Sequence, residues 1–268
     1  MVRFLHPYIQ ENLLMTLVSL ARVALLSGAA FCGVLSSAMA DENAPKLGPN
    51  ATSLPEETDY LRQNSAPDYW AYSPFVKPQF SSSACSIAAV TAAVNGLRGL
   101  PKLAEDTVLT QTTLLERLED STWAGLSAEG GDGVTFSQLV EYTDKTLAAL
   151  DMADYQVETF KPTTADEATL EKLRAILAAN ESTAEDVLLI YFNQGVVTGD
   201  WDGPHVSLIG AYNAAKDRVL ILEVDQEWYI PYWTPVPVLL EAMTKPTSAE
   251  HGVLENETGG FVHVKRAG

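Results

Sequence analysis

Apolar and polar residues recur along the chain with two periods, and the helical period gives way to the strand period past the middle. From about Ala84 to Leu97, small and β-branched residues such as Ile87, Ala88, Val90, Thr91, Ala92 and Val94 predict a tightly packed central helix. Ser82 or Ser83 is placed to cap it, and Asn95-Gly96 with Gly99-Leu100-Pro101 ends it. Helices are also predicted from about Val108 to Glu119 and from Phe136 to Leu150, the latter opened by Thr135 and Gln138 as a capping box. Tyr155 to Phe160 alternates like a strand, and Ala165 to Ala179 returns to the helical period. Strands follow at Val187–Phe192, Val206–Tyr212, Arg218–Val224 and Phe261–Val264, with Asn213 to Asp217 as the turn of an antiparallel hairpin. Helices first and a sheet afterwards give an α+β domain.

The first forty residues follow a different pattern. Arg22 precedes the apolar run Val23–Leu35, and Ser36-Ser37-Ala38-Met39-Ala40 supplies small residues before Asp41, so residues 1–40 read as a signal peptide cleaved after Ala40. Met15 is an alternative initiator. The destination is then outside the cytoplasm, in the periplasm for a bacterial host. The competing expectation is an uncleaved leader acting as a membrane anchor. Residues 41–66, rich in Pro, Asn, Glu and Ser, read as a flexible arm, with folded structure expected from near Tyr60 and the catalytic-type domain over 67–268.

Charge and cysteine count narrow the class. A formal net charge of −18 disfavours nucleic-acid binding and obliges any anionic ligand to meet local cations or hydrogen-bond donors. Of two cysteines, Cys32 lies in the leader, so the exported form carries Cys85 alone and has no internal disulfide. An unpaired thiol outside the cytoplasm is either buried and inert or used.

Thiol chemistry needs a nucleophile, a base, a group that orients the base and a donor for the oxyanion. Cys85 falls at the start of the central helix, where free N–H groups favour a thiolate. His205, after the turn Asp202-Gly203-Pro204, is the candidate base, and Glu223 or alternatively Asp225 the candidate acid. Gln79, six residues before Cys85, is the candidate oxyanion donor. His251 in a polar loop and His263 on the last strand are weaker candidates, and no His/Cys/Asp/Glu spacing reads as a metal site.

These segments together resemble the phytochelatin synthase family. The likeness rests on Asp68-Tyr69-Trp70, on Gln79 with Cys85 and the helix through Val94-Asn95, and on Pro204-His205-Val206-Ser207-Leu208-Ile209-Gly210-Ala211-Tyr212-Asn213. It continues through Asp217 to Val224 and Tyr229-Ile230-Pro231-Tyr232-Trp233. The resemblance implies a papain-like cysteine-protease fold, with a helical N-terminal half packed on an antiparallel β-sheet. It implies that Cys85 accepts the acyl group, His205 acts as base, Gln79 serves the oxyanion and Glu223 stands where the family has aspartate. The implied reaction cleaves the Cys–Gly bond of glutathione, giving γ-glutamylcysteine or short phytochelatins. No protein-bound cofactor is implied, and cadmium or zinc enters only as a metal–thiolate complex of the thiol-peptide substrate.

The chain departs from the family pattern at several positions. Ser86 replaces the glycine that usually follows the nucleophile, and Gln226 and Gly259 stand where substrate-contacting arginines are usual. Lys77, Lys102 and Lys161 are the candidate replacements for those charges. The departures leave two rivals to the glutathione reading: a general exported cysteine peptidase or amidase, and a pseudoenzyme that binds a ligand or partner through the cleft.

Overall fold

The computed structural model describes residues 47–103 and 107–267. The leader, its cleavage point at Ala40 and Cys32 lie outside the described residues. The N-terminal part of the described chain holds β1 (Thr52–Ser53), α1 (Asp59–Gln63), α2 (Pro67–Tyr72), α3 (Cys85–Arg98), α4 (Gln111–Leu118), α5 (Ser121–Leu126) and α6 (Phe136–Ala149). Then come β2 (Tyr155–Phe160), α7 (Glu167–Asn180), β3 (Val187–Asn193), α8 (Gln194–Thr198), β4 (Pro204–Asn213), β5 (Arg218–Leu222), β6 (Tyr232–Pro235), α9 (Val236–Thr244) and β7 (Gly260–Arg266).

The strands form a seven-stranded sheet in the order β1-β6-β5-β4-β3-β7-β2, antiparallel at every pairing. The expected hairpin is present as β4–β5, with Asn213 opposite Arg218. β3 is buried along its whole length, and its alternation explains why. Val187, Leu189 and Tyr191 face one core with α3 and α6, whereas Leu188, Ile190 and Phe192 face a second core with α7 and α9. Helices therefore cover both faces of the sheet, which differs from the expected order of helices first and sheet second. The second layer is built by Leu170, Leu173 and Leu177 of α7 and by Val236, Leu239, Leu240 and Met243 of α9, each at helical spacing. The mixed α+β architecture itself is as the sequence predicts.

α3 is buried from Ser86 through Gly96. Its small residues let the helix lie close to β4 and α2, and Gly96 takes this furthest: a Cβ there would stand 2.0 Å from Cδ1 of Tyr72. The expected Ser82 or Ser83 cap is not formed. Ala84 is the N-cap residue and has no side-chain oxygen to offer, and the serines before it are engaged elsewhere. α6 does open on the expected capping box: Gln138 N donates to Thr135 Oγ1 at 3.2 Å, and Thr135 N donates to Gln138 Oε1 at 2.8 Å.

Ordered structure begins ahead of Tyr60. Thr52 and Ser53 pair with Trp233 and Tyr232, and the Trp233 indole donates to Glu57 O at 2.9 Å. β6 and α9 have no counterpart among the predicted elements, since Pro231, Pro235 and Pro237 break the periodic pattern. Pro237 instead sits in the first turn of α9, where no amide hydrogen is required.

Candidate active site

Cys85 is the first residue of α3, and the turn leading to it is held by three serines. Ser81 Oγ donates to Ser127 O at 2.6 Å, Ser82 Oγ to Glu129 Oε1 at 2.8 Å and Ser83 Oγ to Gly131 O at 2.6 Å. These bonds tie the turn to the loop between α5 and α6 and leave the first amides of α3 without a side-chain cap. Directly after Cys85, Ser86 Oγ accepts from Trp123 Nε1 at 2.9 Å in a fully buried contact. Trp123 stacks on Tyr142, with ring centroids 4.6 Å apart. Ser86 thus has a local reason to differ from glycine: it satisfies an indole N–H that would otherwise be buried without a partner.

His205 lies at the start of β4, opposite Phe192 of β3, and is 3% exposed. Its Nε2 meets Glu223 Oε1 at 2.6 Å. The Cys85 side chain acts on the same ring, and both residues line one cleft. Burial disfavours the imidazolium, but the Glu223 charge, the neighbouring Cys85 side chain and the hydrogen bond to Glu223 outweigh it and raise the ring's pKa well above its ordinary value.

Glu223, immediately after β5, has no exposed surface. Besides His205, Oε1 accepts from the backbone N–H groups of Val224 at 2.8 Å and Asp225 at 2.7 Å, while Oε2 accepts from Gln194 Nε2 at 3.1 Å. Burial raises its pKa, yet His205 and these donors win and hold the carboxyl below its usual range. The acid beside the ring is therefore Glu223. Asp225, the alternative acid, lines the cleft nearby, and burial there pushes its carboxyl up. The longer reach of glutamate is accommodated by donors on three sides.

Gln79 N donates to Val224 O at 2.8 Å, which draws the residue to the Glu223 end of the site. Its Nε2 donates to Ser82 O at 3.3 Å, leaving the second amide hydrogen unassigned, and its Oε1 is buried without a partner among the described residues. Cys85, His205, Gln79 and Asp225 all line one cleft of about 600 Å³. The site can thus deprotonate a thiol, hold the resulting imidazolium against a carboxylate and offer amide donors beside the sulfur.

Two further residues, Gln194 and Tyr191, come into play that their sequence positions do not reveal, and His251, a weaker candidate from the sequence, joins them. Gln194, fully buried at the start of α8, braces Glu223. Tyr191 lines the cleft at 2% exposure with its hydroxyl unpartnered among the described residues. His251, expected in a polar loop, stands at the cleft rim, where Nε2 donates to Asp202 O at 2.7 Å and the ring meets Trp201 edge-on. No sequence motif marks Gln194 or Tyr191. His263 pairs with Asp186 at 2.6 Å and is absent from the cleft lining.

The positions that differ from the family pattern have structural counterparts. Gln226 Nε2 donates to Glu223 O at 2.9 Å. A Cβ at Gly259 would lie 1.8 Å from Tyr191 O, so no side chain fits there without moving β3. Lys77, Lys102 and Lys161 do not line the cleft. Lys161 instead faces Glu257 at 3.6 Å and covers the Phe136 ring. Among the described residues no group of His, Cys, Asp and Glu side chains is arranged to hold a metal ion, and no helix is long and apolar enough to cross a membrane.

A family model described as Phytochelatin synthase matches residues 54–251. Glutathione gamma-glutamylcysteinyltransferase 1 of Triticum aestivum is 31% identical over 135 residues, covering 50% of this chain and 24% of that protein. Its namesake from Arabidopsis thaliana is 33% identical over 88 residues, covering 33% and 17% of the two chains. Glutathione gamma-glutamylcysteinyltransferase 3 of Lotus japonicus is 25% identical over 191 residues, covering 68% and 35%. The chain thus spans about a third or less of the length of the curated relatives it matches. The family match runs over most of the chain and takes in Gln79, Cys85, His205 and Glu223, and on that ground the protein belongs to the phytochelatin synthase family.

Proposed function

We propose that this protein is an exported acyltransferase or hydrolase that cleaves the Cys–Gly amide of glutathione or a closely related thiol peptide, on a papain-like scaffold. The observation that carries this reading is His205, lining one cleft with Cys85 and held at 2.6 Å by the buried Glu223 carboxylate.

The steps follow from the proton positions. His205 takes the Cys85 proton, and the sulfur attacks the cysteinyl carbonyl of the substrate. The oxyanion that forms meets the Cys85 backbone N–H and the free Gln79 amide hydrogen. As the C–N bond breaks, the imidazolium returns the proton to the departing glycine amine, leaving a thioester on Cys85. Water then attacks to give γ-glutamylcysteine, or the amine of a second thiol peptide attacks to give a short phytochelatin, with His205 again moving the proton. Glu223 keeps the imidazole oriented and balances its charge. Cadmium or zinc enters as part of a metal–thiolate substrate complex, as the family resemblance implies.

The test incubates the chain with glutathione beside a Cys85→Ala control and follows released glycine by mass spectrometry. Cys85-dependent glycine release supports the reading. Absence of release from a chain whose Cys85 still alkylates readily sinks the glutathione assignment.

A second reading, a cysteine peptidase or amidase for a different peptide, is favoured by one observation. Gly259 has no room for an arginine, and Lys77, Lys102 and Lys161 lie away from the cleft.

A further inference from the structure

Tyr191 of β3 lines the cleft with a hydroxyl that is destabilising in the free protein. The residue pairs with Val206 on one side and Gly260 on the other, in a strand buried along its whole length. It is 2% exposed, and its hydroxyl has no hydrogen-bond partner among the described residues. The ring meets Phe136 edge-on, with centroids 6.1 Å apart. Burial raises the hydroxyl's pKa, and the Glu257 and Cys85 side chains add to the rise, so the group stays protonated and keeps its proton to donate. Glu257 is engaged elsewhere, accepting from Phe136 N at 3.2 Å and facing Lys161 at 3.6 Å. A buried hydroxyl without a partner is less favourable than a phenylalanine of the same shape, and at a cleft wall a ligand atom would remove that cost.

The chemistry of attack decides which half of a substrate this wall meets. The tetrahedral carbon has four substituents: the Cys85 sulfur, an oxyanion facing Gln79, a departing nitrogen facing His205, and the acyl chain. The wall formed by Tyr191, Gly133, Val134 and Leu254 holds none of the first three groups, so it is the direction left to the acyl chain. Val134 and Leu254 are buried apolar residues, and a single hydroxyl among them cannot offset the desolvation of a carboxylate. Lys161, the cation over the Phe136 ring, faces Glu257 and stays outside the lining. One neutral acceptor matches one neutral donor. We propose that the Tyr191 hydroxyl determines specificity for the acyl half, donating to the amide carbonyl that precedes the cysteinyl residue. The site then takes cysteinyl amides acylated on the cysteine nitrogen, by a γ-glutamyl or another acyl group, and rejects those with a free cysteine amine. The inference rests on reading Cys85 as the acyl acceptor and names a determinant of its substrate class. No bond is made or broken beyond those of the proposed reaction.

The experiment compares the parent with Tyr191→Phe in two arms. In the first, Cys85 is alkylated by two chloromethyl ketones, its sulfur displacing their chloride. The N-acetyl-alanyl reagent carries the amide carbonyl, and the same ketone with a propyl chain in place of the acetamide lacks it. With each rate normalised to a free cysteine peptide, the parent is expected to favour the acetamide reagent by about tenfold. In Tyr191→Phe that preference is expected to vanish while the rate with the propyl reagent holds. The thermal midpoint of the variant is expected to equal or exceed the parent's, since only an unpaired hydroxyl is removed. In the second arm, kcat/KM for glutathione is expected to fall about tenfold in the variant, against no change for cysteinylglycine, which has no preceding carbonyl. No preference in the parent, or one that survives in Tyr191→Phe, overturns the proposal. Equal loss with both reagents puts the hydroxyl at the reacting carbonyl instead and overturns it too. Selective loss with the acetamide reagent, in a chain that turns over neither peptide, upholds the proposal and sinks the reading of glutathione as substrate.

Discussion

Glu223 Oε1 lies 2.6 Å from His205 Nε2, and the same oxygen accepts from two backbone N–H groups, so a single carboxylate atom fixes both the direction and the charge of the imidazole. Neither partner has more than a trace of solvent contact. A pair this deeply buried is sensitive to loss of one member, because the survivor keeps its desolvation cost without its counter-charge.

Replacing Glu223 with Gln therefore removes the charge while keeping most of the shape. Turnover is expected to fall by about 10²-fold or more, with KM little changed. The Glu223 charge raises the pKa of His205, so the alkaline limb of the kcat/KM profile is expected to move to lower pH in the variant. The pair's stabilising contribution has two edges. The Glu223 part is present above the ordinary carboxyl value of 4.5 and is lost as pH falls through the depressed native pKa. The His205 part is full below the ring's ordinary 6.5 and is lost as pH rises through its raised native pKa. Denaturant midpoints of parent and variant across pH should differ most between those edges and converge beyond them.

Gly259→Arg tests whether the lost positive charge can simply be restored. With 1.8 Å between the required Cβ and Tyr191 O, the substitution should push β3 and β7 apart and cost on the order of 3 kcal/mol. A fall of several degrees in thermal midpoint is the expected reading. An unchanged midpoint with stronger glutathione binding would show that the strand yields.

Ser86→Gly should be destabilising rather than restorative. It strips the acceptor from the buried Trp123 indole and puts glycine in the first turn of α3, with an expected loss of about 1–3 kcal/mol. Thermal unfolding measures the loss, and near-ultraviolet circular dichroism should report a looser Trp123–Tyr142 stack.

Asp68, on α2 and fully buried, has its carboxyl pushed up to about 9 by burial, then by the charges of Asp186 and Glu181. A raised native pKa means its stabilising contribution is full below the ordinary carboxyl value of 3.8 and is lost as pH rises toward 9. Asp68→Asn should remove that loss. The variant is expected to match the parent near pH 4 and to exceed its stability by about 1 kcal/mol or more at pH 8, as chemical denaturation would register.

The long elements were readable because their periods are unambiguous: the limits of β2 match the alternation at Tyr155–Phe160, and α6 begins at its capping box. β6 and α9 escaped because prolines interrupt their pattern, although the prolines fall where no backbone donor is needed. Cys85, His205 and Glu223 could be named from residue type and spacing, and the fold brings them together. Gln194 and Tyr191 could not, since a glutamine opening a five-residue helix and a tyrosine in an apolar strand carry no local signal. The caps show the same limit: Ser82 and Ser83 have the right chemistry and position for α3, but Glu129 and Gly131 compete for them from a loop nearly fifty residues away.

The clamping of α3 at both ends bears on how such a molecule diverges. Trp123 grips its first turn through Ser86, and Tyr72, itself bonded to Asp186 O at 2.7 Å, lies flush against Gly96 in its last. A rod wedged between two collars cannot translate along its axis, so the thiol's coordinates are inherited intact whenever the collars are. Innovation is then confined to the rim around Trp201 and Trp228, where residues can be exchanged without disturbing the bond-breaking apparatus. Descendants of such a chain would change their diet before their chemistry.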